Sequence, residues 1–170
     1  VINQCKVLIE PFRKPCSDRM TEPEKKRATA ELLEIAIEHG YTCGKWMLRI
    51  PSEDIDEVWN IVAKLTYEGK LGCASKAGGS NGEFDVRDGA GFKHDEKMRI
   101  ICIYVNDFRD KSRSYKVLRE LKKQSYYSEE KKSKISLFTQ CGFKLDLFTA
   151  IGMFSGTTKL DITILKDLKD

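Results

Sequence analysis

Four cations in this chain stand where a phosphorylated ligand could meet them: Lys45, Arg49, Lys76 and Arg99. Lys76 closes the run LGCASK just as a glycine-rich stretch begins, with GGSNG at 78–82 and GAG at 89–91. A basic residue beside such a loop can hold a phosphate through its point charge and neighbouring backbone amides. The stretch lacks the Walker lysine pattern and a GxGxxG that opens a helix, so a plain connecting loop is its simpler reading. If the strand bearing Lys45 and Arg49 pairs with the one bearing Lys76, the four cations share one sheet face. Like charges so placed are costly unless an anion visits them. The plainer alternative is that Glu83, Asp85 and Asp88 of the loop neutralise them.

Catalytic chemistry has fewer footholds. His94 lies in the glycine-rich loop and could exchange a proton near neutral pH, although a solvated loop histidine needs no such role. His39 precedes a helix-stopping glycine, where local structure explains it. GGSNG at 78–82 spells Gly-x-Ser-x-Gly, but it reads as a plain connecting loop rather than the strand-to-helix turn of a nucleophile elbow. Asp54 and Asp56 sit at a helix start, where capping accounts for them. The six cysteines (5, 16, 43, 73, 102 and 141) form no CxxC pair and there are two histidines, so no metal site and no cofactor are expected. Cys73 and Cys102, in apolar runs, read as buried free thiols.

These residues need elements to carry them. Thr21, Pro23 and Glu24 open a helix as a capping box, Ala28, Leu32, Ile35 and Ala36 repeat along it, and Gly40 stops it. Residues 45–50 alternate, with Trp46, Leu48 and Ile50 on one side and Lys45, Met47 and Arg49 on the other. Pro51 ends that strand. Ser52 caps a second helix with an apolar stripe of Ile55, Val58, Trp59, Val62 and Leu65, ended by Gly69. A short strand at 71–76 precedes the long loop at 77–97, which holds at most a brief strand at 83–86. MRIICIYV at 98–105 is apolar on both faces apart from Arg99, as in a central, covered strand. Residues 107–113 read as a turn and 115–124 as a third helix. Strands at 135–139, 143–153 and 159–165, with a turn at 155–158, close the chain. Trp46 and Trp59 lie on apolar faces and read as core. The basic stretch at 116–134 interleaves Tyr126 and Tyr127 with lysines, a pattern that can hold nucleic acid, but its glutamates also suit a solvated helix face.

That order predicts an α+β fold: a mainly antiparallel sheet with about three helices packed on one face. Residues 1–20 are expected to be an irregular N-terminal arm, with one short strand at 6–9, and 21–170 a single domain. At 170 residues, 41% hydrophobic and 33% charged, the chain can bury about 70% of its unfolded surface without disulfides or metal. Thirty basic residues nearly match 26 acidic ones, so the net charge of +4 says little about an anionic partner. No apolar run approaches the ~20 residues that span a bilayer, and no membrane partner is expected. The opening residues lack a charged-then-apolar leader pattern. A start at Val1 leads us to expect residues upstream, and the cysteine usage a reducing, cytoplasmic or nuclear setting.

Several segments taken together carry a resemblance: CGKWMLRIPSEDIDEVW, KLGCASKA, MRIICIYVNDFRD with the helix after it, and TAIGMFSGTTKLDITIL. Their order and spacing over about residues 30–165 resemble the basophilic-leukaemia-expressed family of uncharacterised eukaryotic proteins. Gly44-Lys45-Trp46-Met47, Leu71-Gly72 with Lys76, and the Ile-Tyr-Val-x-Asp run ending at Asp107 are its most specific pieces. The resemblance implies a fold similar to the messenger-RNA cap-binding translation factor, a curved, largely antiparallel sheet backed by helices. That factor clamps a methylated base between two tryptophans and holds phosphates with Arg and Lys. Trp46 and Trp59 do not match the clamp, whereas Lys76 matches the phosphate-holding half better. The segment 44–124 is also distantly similar to bacterial phosphothreonine lyases, which use a lysine base, a histidine acid and arginines on the phosphate. Lys45 or Lys76, His94, and Arg49 or Arg99 would fill those roles, but Met47 stands where the lyase pattern has histidine.

The leading expectation is a non-enzymatic module that binds a phosphorylated small molecule, RNA or phosphopeptide through Lys45, Arg49, Lys76 and Arg99. A phosphothreonine-lyase-like enzyme and a scaffold that takes a protein partner on its helical face are the alternatives.

Overall fold

The alternation at 45–50 emerges as strand β1, Gly44–Pro51, in which Trp46, Leu48 and Ile50 are buried and Arg49 is exposed. A computed structural model describes residues 2–10, 21–78 and 98–153 of the chain. Among these residues two helices precede β1: α1 (Ile2–Ile9) and α2 (Glu22–Glu38). The expected irregular arm with a strand at 6–9 is therefore corrected over 2–9. Ile2, Cys5 and Leu8 recur every three residues, which places them on one helical face. Cys5 is fully buried, and α1 packs against α2. Residues 11–20 lie outside the described part.

α2 starts as its sequence predicts. The Glu24 carboxylate accepts from both the backbone N–H and the hydroxyl of Thr21, each at 2.7 Å. Those two bonds hold the Glu24 carboxyl below the usual carboxylate range. Ala28, Leu32 and Ala36 form its buried stripe, and Gly40 follows with φ +72°, the left-handed turn that ends many helices.

After β1 the chain makes a single 3₁₀ turn, Ser52–Asp54, before helix α3, Ile55–Tyr67. The cap position of the regular helix is thus Asp54 rather than the expected Ser52. Val58, Val62 and Leu65 are buried, while Trp59 is half-buried at the margin of the core. Burying each such aliphatic side chain contributes roughly 1.5–3 kcal/mol, against about 1 kcal/mol for a cap. Packing therefore outweighs capping in placing these helices.

Strand β2, Ala74–Ala77, begins later than the expected 71. Leu71 turns into the core instead, and Gly72 lies so close to the sheet that a Cβ there would come within 1.8 Å of the Tyr104 carbonyl oxygen. Only glycine lets the chain enter at that point, and Cys73 N–H then donates to Tyr104 O at 2.9 Å. Strand β3, Met98–Val105, matches its sequence expectation. The expected strand at 83–86 lies outside the described residues.

Helix α4, Lys111–Lys123, begins four residues before the expected 115, because the Asp110 carboxylate accepts from Arg113 N–H at 2.8 Å and caps it. Two short strands follow, β4 (Ser125–Ser128) and β5 (Ser133–Ser136), as an antiparallel hairpin with Lys132 at φ +50°. A 3₁₀ turn, Leu137–Gln140, replaces the end of the expected strand at 135–139. Strand β6, Cys141–Leu145, begins two residues before the expected strand at 143–153 and covers only its first three residues; residues 146–150 of that expected strand form helix α5, Asp146–Ala150, instead. The turn at 155–158 and the strand at 159–165 lie outside the described residues.

The fold is α+β. Among the described residues five helices accompany a four-stranded antiparallel sheet of order β2-β3-β1-β6, which does not close, and the two-stranded β4-β5 hairpin. The core joins Trp46, Leu48, Ile50, Ile101, Ile103 and Phe143 of the sheet to Leu32, Val58, Val62, Leu118 and Leu121 of the helices. Trp46 meets Phe143 edge to face, with ring centroids 5.1 Å apart.

Candidate functional site

β3 lies between β1 and β2, so the strands bearing Lys45 and Lys76 are not neighbours as expected. The register nonetheless puts both lysines on one face, because directly opposed residues project to the same side. One row runs Ala74, Tyr104, Lys45, Lys144 across the four strands. The next runs Lys76, Cys102, Met47, Gly142, and Arg49 follows opposite Ile100. Lys76 and β1 are separated by two strand spacings, about 10 Å, a gap that long lysine and arginine side chains can bridge over a ligand. Arg99 pairs with Ile50 and so belongs to the opposite, core-side face. Of the four expected cations, Lys45, Arg49 and Lys76 share a face and Arg99 does not.

This outer face is partly roofed. β6 runs into α5, whose first amide, Asp146 N–H, donates to Cys43 O at 3.0 Å and turns the chain back over the sheet. Lys45 is only 5% exposed. Its Nζ meets Asp146 Oδ1 at 2.6 Å and lies 5.6 Å from the centre of the Tyr104 ring. Lys144, also 5% exposed, donates from Nζ to the Met153 carbonyl oxygen. A buried ammonium is tolerated only where it keeps such partners. Lys76 and Arg49 are exposed and flank this buried pair. Lys144 and Asp146 were not singled out from sequence. The signal for Lys144 was there, since it alternates with Phe143 and Leu145 as Lys45 does with its neighbours.

The face also shifts protonation. Burial, helped by Cys102, Asp146 and Cys43, pushes the Tyr104 phenol up to about 12. Burial likewise raises the Cys102 thiol, against the opposing pull of Lys45, Lys76 and Lys144. A phenol that ionises later in the folded than in the unfolded chain leaves the folded state holding more protons between those two values. Stability is then complete below about pH 10 and falls as pH rises towards 12. Tyr104→Phe is expected to flatten that fall in denaturant titrations followed against pH; an unchanged slope would count against the assignment.

The sequence pattern of the family described as basophilic leukemia-expressed protein Bles03 matches residues 12–151. The chain belongs to the Bles03 family. No curated protein matches it in a sequence comparison.

The remaining candidates of this Bles03-family chain fall elsewhere. His94, Glu83, Asp85 and Asp88 lie outside the described residues. Trp46, 1% exposed, is core as expected and cannot face a ligand. Among the described residues no group of three or more His, Cys, Asp or Glu could hold a metal ion. Five cysteines there are free thiols; Cys73 is exposed and Cys102 half-buried, which corrects the expectation that both are buried. Asp107, which ends the Ile-Tyr-Val-x-Asp run, accepts from the guanidinium of Arg109, and that bond holds its carboxyl below the usual range. No helix among the described residues is long and apolar enough to cross a membrane.

Proposed function

We propose that the chain is a binding module for a phosphorylated ligand, a nucleotide, RNA or phosphopeptide, taken on the outer sheet face. The observation that carries this reading is the register, which aligns Lys45, Arg49, Lys76 and Lys144 on one side around Cys102 and Met47. Exposed Arg49 and Lys76 would contact the phosphate, and buried Lys144 would add positive potential beneath it, while the charge of Lys45 is met by Asp146. Arg99 has no part in it. The cap-binding-like architecture implied by the family resemblance fits this phosphate-holding role, without the tryptophan clamp. Free cysteines are in keeping with a cytoplasmic or nuclear setting. Binding is favoured over phosphothreonine elimination because Lys45, a candidate base, is already engaged by Asp146.

Arg49→Ala with Lys76→Ala is expected to weaken binding of labelled nucleoside triphosphate or phosphothreonine peptide by about tenfold or more and to lower its salt dependence. Absence of binding by the unmodified chain to any of these probes would sink the reading. Dehydrobutyrine on the phosphothreonine peptide, read by mass spectrometry, would favour the lyase instead.

A further inference from the structure

Helix α4 carries a cluster of cations that shares no residue with the outer sheet face. Lys111, Arg113, Lys116, Arg119, Lys122 and Lys123 are six cations in thirteen residues, against the single acid Glu120. All six are exposed. Val117, Leu118 and Leu121 commit the opposite side of the helix to the core. At 1.5 Å per residue and 100° per step, Tyr115, Lys116, Arg119, Lys122 and Lys123 fall within one outward stripe. Glu120 has a side chain only 16% exposed and pairs with Lys123 at 2.8 Å, so it offsets Lys123, and the stripe's remaining cations are Lys116, Arg119 and Lys122.

Two aromatic rings are set among these charges. The Arg119 guanidinium lies 5.0 Å from the centre of the Tyr115 ring, and Tyr115 is 42% exposed. Lys122 Nζ lies 4.3 Å from the centre of the Phe138 ring. We infer that the α4 stripe docks single-stranded nucleic acid, with Lys116, Arg119 and Lys122 on the phosphates and Tyr115 with Arg119 as a stacking platform for a base. Cations that follow a backbone beside an exposed aromatic are what such strands require. An anionic membrane would ask for large apolar side chains to insert, and those of α4 are already in the core. An acidic peptide would use the charges but leave the rings without a role.

The test compares the intact chain with Lys116→Gln/Arg119→Gln/Lys122→Gln and with Tyr115→Ala, using short fluorescein-labelled single-stranded RNA between about 50 and 200 mM salt. Glutamine keeps helix propensity, and thermal melting checks that each variant folds. The triple variant is expected to bind at least about tenfold more weakly, with a salt slope smaller by about 2. Tyr115→Ala is expected to lose about fivefold or more with the slope unchanged. The triple variant is expected to keep its binding of labelled nucleoside triphosphate, which separates this surface from the sheet face. No RNA binding by the intact chain, or full binding by the folded triple variant, would overturn the inference. So would equal binding of duplex RNA, polyglutamate or anionic vesicles, since none of them offers unstacked bases.

Discussion

Trp46→Ala is expected to lower the unfolding free energy by about 3–5 kcal/mol, the usual range for emptying a large aromatic site in a core. Trp46 is 1% exposed, stands opposite both Ile103 and Phe143, and fills the space between sheet and helices. Trp46→Phe should cost much less. Phenylalanine keeps an aromatic edge against Phe143, and it also removes the indole Nε1, which is buried without a hydrogen-bond partner. An orphaned donor of that kind costs roughly 1–3 kcal/mol, so its loss offsets part of the lost volume. Urea unfolding of the two variants measures the difference. The same pair separates a core tryptophan from a base clamp. Trp46→Phe is expected to bind the phosphorylated probes as the unmodified chain does, whereas a clamp residue would lose that affinity.

Asp146→Ala should destabilise the chain by about 1–3 kcal/mol, because it leaves the Lys45 ammonium buried without its carboxylate. The lower part of that range reflects the 47% exposure of the Asp146 side chain, which lets water screen the pair. Lys45→Met should cost less, since Asp146 can turn to solvent and the methionine meets Met47, Cys102 and Tyr104 on the same face. Combined with Asp146→Ala, Lys45→Met should restore part of the lost stability, giving a coupling of about 1–2 kcal/mol in a double-mutant cycle. Strictly additive losses would mean that the contact contributes nothing. The cycle bears on function too, because the same carboxylate anchors the segment that folds back over Lys45 and Lys144.

Local signals carried a good part of the fold. The capping box at Thr21 and Glu24, the stripe of α3 and the two-residue alternation of β1 all depend on neighbours within one or two turns of chain. β3 was legible for a related reason, since eight residues with apolar character on both faces suit an interior strand. Residues 143–153 misled because an apolar run has no decisive period, and only the turn at Asp146 separates strand from helix there. α1 was missed because eight residues are too few to hold a helix alone; packing against α2 supplies what its own sequence lacks.

The candidate site divides in the same way. Alternation alone places Lys45 and Arg49 on one side of β1, with Trp46 on the other. It says nothing of how β1 meets β2 or β3, since a shift of one residue in register moves every side chain of a strand to the opposite face. The fold therefore decides that Lys76 joins Lys45 across an intervening strand, that Arg99 is turned to the core side, and that Lys144 arrives from β6. It also decides that Lys45, written in the sequence like any solvated strand lysine, is buried under Asp146. Residue type and spacing are local properties of the chain. Pairing, register and burial arise from contacts between segments as much as 101 positions apart, as between Lys45 and Asp146.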